Sequence, residues 1–144
     1  MSTNAARATT TILVAVDGSE GARRAVRLGA DLAIQTGATL MLVNVQEPDF
    51  EPAGLDPKID DFRRKKTNEI FDDLERYLSE PKLEVERVIL DGEPAQMISE
   101  LAFARKVDLV VTGRRGLGRV ARAWLGSVSG RLVNICQRPV VIVP

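Results

Sequence analysis

The sequence predicts an α/β protein, a single domain on an open, parallel, five-stranded sheet with helices on both faces. Three observations predict it. The apolar runs Ile12-Leu13-Val14-Ala15-Val16 and Leu40-Met41-Leu42-Val43 are continuous rather than alternating, as strands buried on both faces require. Such runs alternate with helical segments in the order β-α-β-α-β-α-β-α-β, the pattern of a parallel sheet with crossover helices. A length of 144 residues with a 44% apolar share suits one core and leaves little room for two.

Residues 1–10 are polar and small and read as a flexible tail, with the folded domain over 11–144. The first strand covers 12–16 and stops at Asp17-Gly18. Ser19 can cap a helix with Glu20 in its first turn, and Gly37 can end it. The second strand is 40–45. A loop with three prolines and a glycine then runs over 46–57. Residues 58–80 read as a helix burying Ile59, Phe62, Ile70, Leu74 and Tyr77, stopped by Pro81. The third strand, 83–90, carries Glu84 and Glu86 and is placed at a sheet edge. After the turn Asp91-Gly92-Glu93, Pro94 suits the first position of a helix running to about Lys106. The fourth strand is 108–112, a glycine-rich loop spans 113–126, and Ser127 can cap a helix on Val128, Leu132 and Ile135. The fifth strand is 139–143.

Composition excludes several functions. Twenty basic and twenty acidic residues cancel, which argues against a nucleic-acid partner. One cysteine, Cys136, makes no internal disulfide and reads as a buried, inert thiol. With no histidine, histidine-dependent triads and most zinc chemistry are removed. No apolar stretch reaches membrane-spanning length, and no secretory leader is recognisable, so a cytoplasmic location is expected.

Ligands of open α/β sheets sit beyond the carboxyl ends of strands, where the strand order reverses. Two loops qualify: Asp17-Gly18-Ser19 after the first strand and Gly113-Arg114-Arg115-Gly116 after the fourth. If these strands are neighbours, both loops open onto one crevice. The second loop continues to Gly126-Ser127 at a helix start. Glycines let amides approach an anion closely, and a helix start offers unpaired N–H groups. Ser127 could bond a terminal phosphate or cap its own helix; Asp17 could meet a ligand or close its own turn. Arg114, Arg115, Arg119 and Arg122 are either phosphate-neutralising groups or a solvated cluster. Trp124 is expected to pack in the core. No Gly-x4-Gly-Lys-Ser/Thr is present, so a P-loop is excluded.

The spacing Gly113-x2-Gly116-x9-Gly126-Ser127 resembles the ATP-binding signature of the universal stress protein family. The likeness extends to 12–19, 42–45, Asp91-Gly92-Glu93-Pro94 and 139–143. It implies a Rossmann-like sheet of the adenine nucleotide alpha hydrolase-like type, and ATP, with Mg2+, as ligand. It also implies roles by position. Ala15, Val16 and Asp17 would line the nucleoside end, with Asp17 near the ribose or a metal. Val45 would touch adenine, and Gly92 would lie close to the nucleoside. Thr112, Gly113, Arg115 and Gly116 would wrap the phosphates, and Gly126, Ser127, Val128 and Ser129 would hold the distal ones.

The function expected is a nucleotide-responsive regulatory or adaptor module in stress adaptation, in which ATP orders the 113–126 loop and changes what the surface binds. A homodimer through the C-terminal strand and an unidentified protein partner are expected with it. The competing expectation is a slow, metal-dependent ATPase or phosphotransferase.

Overall fold

The computed structural model describes residues 9–48, 56–78, 82–116 and 125–144. Its elements are β1 (Thr11–Ala15), α1 (Glu20–Thr36), β2 (Thr39–Gln46), α2 (Pro57–Arg76), β3 (Val85–Asp91), α3 (Pro94–Ala104), β4 (Leu109–Gly113), α4 (Ser127–Ile135) and β5 (Val140–Val143). The sheet order is β3-β2-β1-β4-β5 and every pairing is parallel. The charged third strand is at an edge, as expected, and β5 is the other edge. The order reverses between β1 and β4, which pair through Ile12–Leu109, Leu13–Val110 and Val14–Val111.

Two cores explain why the strands read as continuous apolar runs. Ile12, Val14, Leu40 and Leu42 pack on the α1 and α2 side with Ala22, Val26, Ala30 and Phe71. Leu13, Met41, Val43 and Val110 pack on the α3 and α4 side with Ile98, Ala102 and Leu132. Adjacent residues of one strand point to opposite faces, so both faces demand apolar side chains.

Local signals fix several helix ends. Ser19 accepts a hydrogen bond from the Ala22 amide, and Gly37 takes φ 71° at the end of α1, a left-handed conformation that favours glycine. Asp56 caps α2, and Glu93 caps α3 ahead of Pro94.

Four expectations change. The helix expected over 58–80 ends at Arg76, and residues 79–81, including Pro81, lie outside the described residues. Its buried residues are Thr67, Phe71 and Leu74, while Ile59, Phe62 and Tyr77 are exposed. Ser127 is the first helical residue of α4, not its cap; the cap position is Gly126, with no side-chain hydrogen bond. Of the tail assigned to 1–10, residues 1–8 lie outside the described residues, and Thr10 is anchored: its amide and hydroxyl donate to Asp108 Oδ2 at 2.8 and 3.1 Å.

Polar contacts lock α2 onto the edge strand. Arg87 donates to Glu75 at 2.6 and 2.9 Å and to Asp72 at 2.8 Å, with its guanidinium 5.6 Å from the Phe71 ring centroid. The Glu75 hydrogen bond, then that of Asp72, holds the guanidinium above its ordinary pKa against partial burial, so it stays charged at every working pH.

Candidate functional site

A cavity of about 320 Å3 opens beyond the carboxyl ends of β1, β2 and β4, at the strand-order reversal. Ala15, Val16 and Asp17 form its wall after β1, and Val45 faces it from β2. Thr112 and Gly113 at the end of β4, then Arg115 and Gly116 after it, also line the cavity. Gly126, Ser127, Val128 and Ser129 close it at the start of α4. Residues from four separated stretches of chain therefore converge, because β1 lies between β2 and β4 in the sheet.

Gly92 is the exception. It follows the edge strand β3, donates its amide to the Gln46 carbonyl at 3.0 Å, and is not among the lining residues. A side chain there would meet Met97 at 2.8 Å, and φ is 142°. Backbone conformation and the Met97 contact account for this glycine.

The loop after β4 is held at its root by the Arg114 main chain. The Arg114 amide donates to the Val143 carbonyl at 2.7 Å. Its carbonyl accepts from the Gly126 amide at 2.7 Å and from Ser129 Oγ at 2.8 Å. These bonds bring the two ends of the glycine-rich loop together. Arg119, Arg122 and Trp124 lie outside the described residues.

The start of α4 is chemically open. The first intrahelical bond runs from the Gly130 amide to the Gly126 carbonyl, and no side chain caps the helix. The amides of Ser127, Val128 and Ser129 precede that bond, at the positive end of the helix dipole. Uncapped amides at a helix start form a ready anion site.

Neither Gly113 nor Gly116 has a positive φ; they differ in what a side chain would meet. A side chain on Gly113 would meet the Gly21 backbone of α1, with the carbonyl carbon at 2.7 Å. A side chain on Gly116 would meet the Asp17 carboxylate. Asp17 also closes its own turn: Oδ1 accepts from the Ser19 amide at 2.9 Å. Among the described residues, no group of three or more Cys, Asp or Glu side chains is placed to hold a metal ion.

Sequence reasoning missed Asn44. It lines the cavity from β2, and its Nδ2 donates to the Val16 carbonyl at 2.9 Å. Its Oδ1 accepts from Thr67 Oγ1 at 3.4 Å, and that hydroxyl accepts from Gln46 Nε2 at 3.0 Å. The chain of bonds ties the floor of the site to α2. Glu47, Pro94 and Ile98 were also missed. A polar residue inside an otherwise apolar strand was the available signal for Asn44. Cys136 is partly rather than fully buried, beside Ile135 on the α3 and α4 side.

The two serines are expected to respond unequally. Ser129→Ala removes the bond to the Arg114 carbonyl and should cost about 1 kcal/mol. Ser127→Ala removes no cap and should change stability by less than about 0.5 kcal/mol. Urea denaturation of both variants checks this.

A sequence model described as the universal stress protein family matches residues 9–144. The chain belongs to the universal stress protein family. A universal stress protein of Thermus aquaticus, encoded in the QAH/OAS sulfhydrylase 3' region, is 33% identical over 136 residues, spanning 92% of this chain and 97% of that one. The universal stress protein UspA from Lactobacillus plantarum shares the fold, with TM-score 0.80 at 22% identity over 94% and 98% of the two chains. A universal stress protein solved in complex with cAMP superposes with TM-score 0.65 at 27% identity, covering 95% of this chain and 98% of that one. Among the described residues of this family member, no helix is long and apolar enough to cross a membrane.

Proposed function

We propose that this universal stress protein binds ATP in the crevice and acts as a cytoplasmic, nucleotide-responsive regulatory module in stress adaptation. The observation that carries the reading is the uncapped start of α4 opening onto a cavity where Gly116 presents no side chain. A phosphate chain supplies the acceptors that the Ser127, Val128 and Ser129 amides lack. The family member solved with cAMP, 27% identical, supports an adenine nucleotide as the ligand class. Val45 and Ile98 give the crevice an apolar surface suited to a base. Mg2+ favours one or two carboxylates together with phosphate oxygens, and Asp17 offers a carboxylate at the crevice.

The regulatory step follows from Arg114. A ligand held by Gly116 and α4 would fix the clasp at the Arg114 carbonyl, and the Arg114 amide is bonded to Val143 of the edge strand β5. Occupancy would thus be felt at the edge where another protein could pair. Titration calorimetry with ATP, with and without Mg2+, tests the reading. Saturable heat is expected; no heat from folded protein would overturn it.

The same reading includes a homodimer through β5, whose residues are only partly buried. The carbonyls of Pro139 and Val143 bond inward to Val110 and Arg114, which leaves the main chain of Ile142 for the open side. Proline is tolerated on edge strands but cannot donate. Ile142→Pro is therefore expected to convert a dimer into a folded monomer in sedimentation velocity.

A further inference from the structure

A second cavity, of about 570 Å3, lies between α1 and the C-terminal end of α2, and no residue lines both it and the crevice. Small-molecule sites commonly measure about 300–1,000 Å3 and combine an apolar lining with a few placed polar groups. Here the floor is Val26, Ala30, Leu74 and Leu83. Ile34 and Tyr77 at its margin are 46% and 62% exposed.

The rim is cationic. Arg23, Arg24 and Arg27 follow one another on the same face of α1. Arg23 donates to the Tyr77 hydroxyl at 3.0 Å, lies 5.1 Å from its ring centroid, and sits 3.9 Å from Glu20. Arg24 donates to the Pro144 carbonyl at 2.8 Å. Glu20 and Asp31 are the acidic residues of the lining. Arg27 has no hydrogen bond or ion pair among the described residues. Three arginines against Glu20 and Asp31 leave the lining with a net positive charge, so the rim favours an added anion, while the floor favours an added apolar group.

We propose that this cavity is a second ligand site, for a small amphipathic anion: an apolar body ending in one carboxylate or phosphate. The body covers Leu74, Leu83 and Ile34. The head group meets the Arg27 guanidinium, whose planar donor fork matches carboxylate and phosphate oxygens. An uncharged head leaves Arg27 unanswered and binds weakly. The site stands independently of nucleotide binding.

Tyr77 is the chain's one tyrosine, so protein made with 3-fluorotyrosine gives a single 19F signal at the margin of the cavity. Dodecanoate and dodecyl phosphate, each below its micelle concentration, are titrated separately, with dodecanol as the neutral control. At least one anion is expected to shift the signal saturably, and comparing the two tells carboxylate from phosphate. Arg27→Ala, at an exposed position, should weaken that binding about tenfold or more. Ile34→Glu should weaken it too. Gly116→Val, which obstructs the crevice, should leave it unchanged. The proposal is overturned by any of three results: no saturable shift with either anion, equal binding of dodecanol, or loss of the shift in Gly116→Val.

Discussion

Gly116→Val is expected to abolish adenylate binding while leaving the protein folded. Gly116 lies at the open end of the β4 loop and is exposed, so the fold has no packing to lose there. A Cβ at this position points at the Asp17 carboxylate across the crevice. The branched side chain would fill space between the first strand's turn and the start of α4, where the phosphates are proposed to lie. Affinity should fall by at least about a hundredfold, roughly 2.7 kcal/mol. Calorimetry with ATP reads the loss, and an unchanged urea midpoint shows that the scaffold survives. Undiminished affinity would place the ligand elsewhere.

Gly113→Ala should do the reverse, unsettling the fold itself. The added methyl would lie 2.7 Å from the Gly21 carbonyl carbon, 2.9 Å from its oxygen and 3.0 Å from its Cα. These are main-chain atoms of the first turn of α1 and have no rotamer to escape into. Relief requires α1 to move away from β4, against the packing of Ala22, Ala25 and Val26. Overpacking of this kind costs about 1–3 kcal/mol, and backbone partners put it at the upper end. A lowered urea midpoint with an unchanged slope is the expected signature. Gly21→Ala should behave alike, because its Cβ would meet the Arg115 carbonyl at 2.7 Å.

The contrast between these two glycines shows what the sequence made legible. Continuous apolar runs revealed the buried strands, because burial on both faces leaves no polar alternation. The glycine spacing marked the loop, although it did not say that Gly113 spares α1 while Gly116 spares the crevice. Position along a chain carries no information about which neighbour a missing side chain avoids. The α2 face was misassigned because its buried stripe includes Thr67, whose hydroxyl is bonded to Asn44 and Gln46. Hydropathy cannot see a polar group satisfied by partners over twenty residues away. Asn44 escaped notice for the same reason. Ser127 was read as a cap because a serine at a helix start usually is one; the chain instead places Gly126 there and uses Ser129 to hold the Arg114 carbonyl.

The placement of β1 has a consequence for how the protein is made. β1 leaves the ribosome before the other four described strands and becomes the centre of the sheet. Its partner β2 follows closely, but β4 begins only at Leu109. Until then the other side of β1 has no native strand to pair with, an edge prone to joining a second nascent chain. A polypeptide stopped before that point could still build β1, α1 and β2, yet it would lack half the walls of the crevice. Fragments ending before residue 109 should therefore aggregate and bind no adenylate.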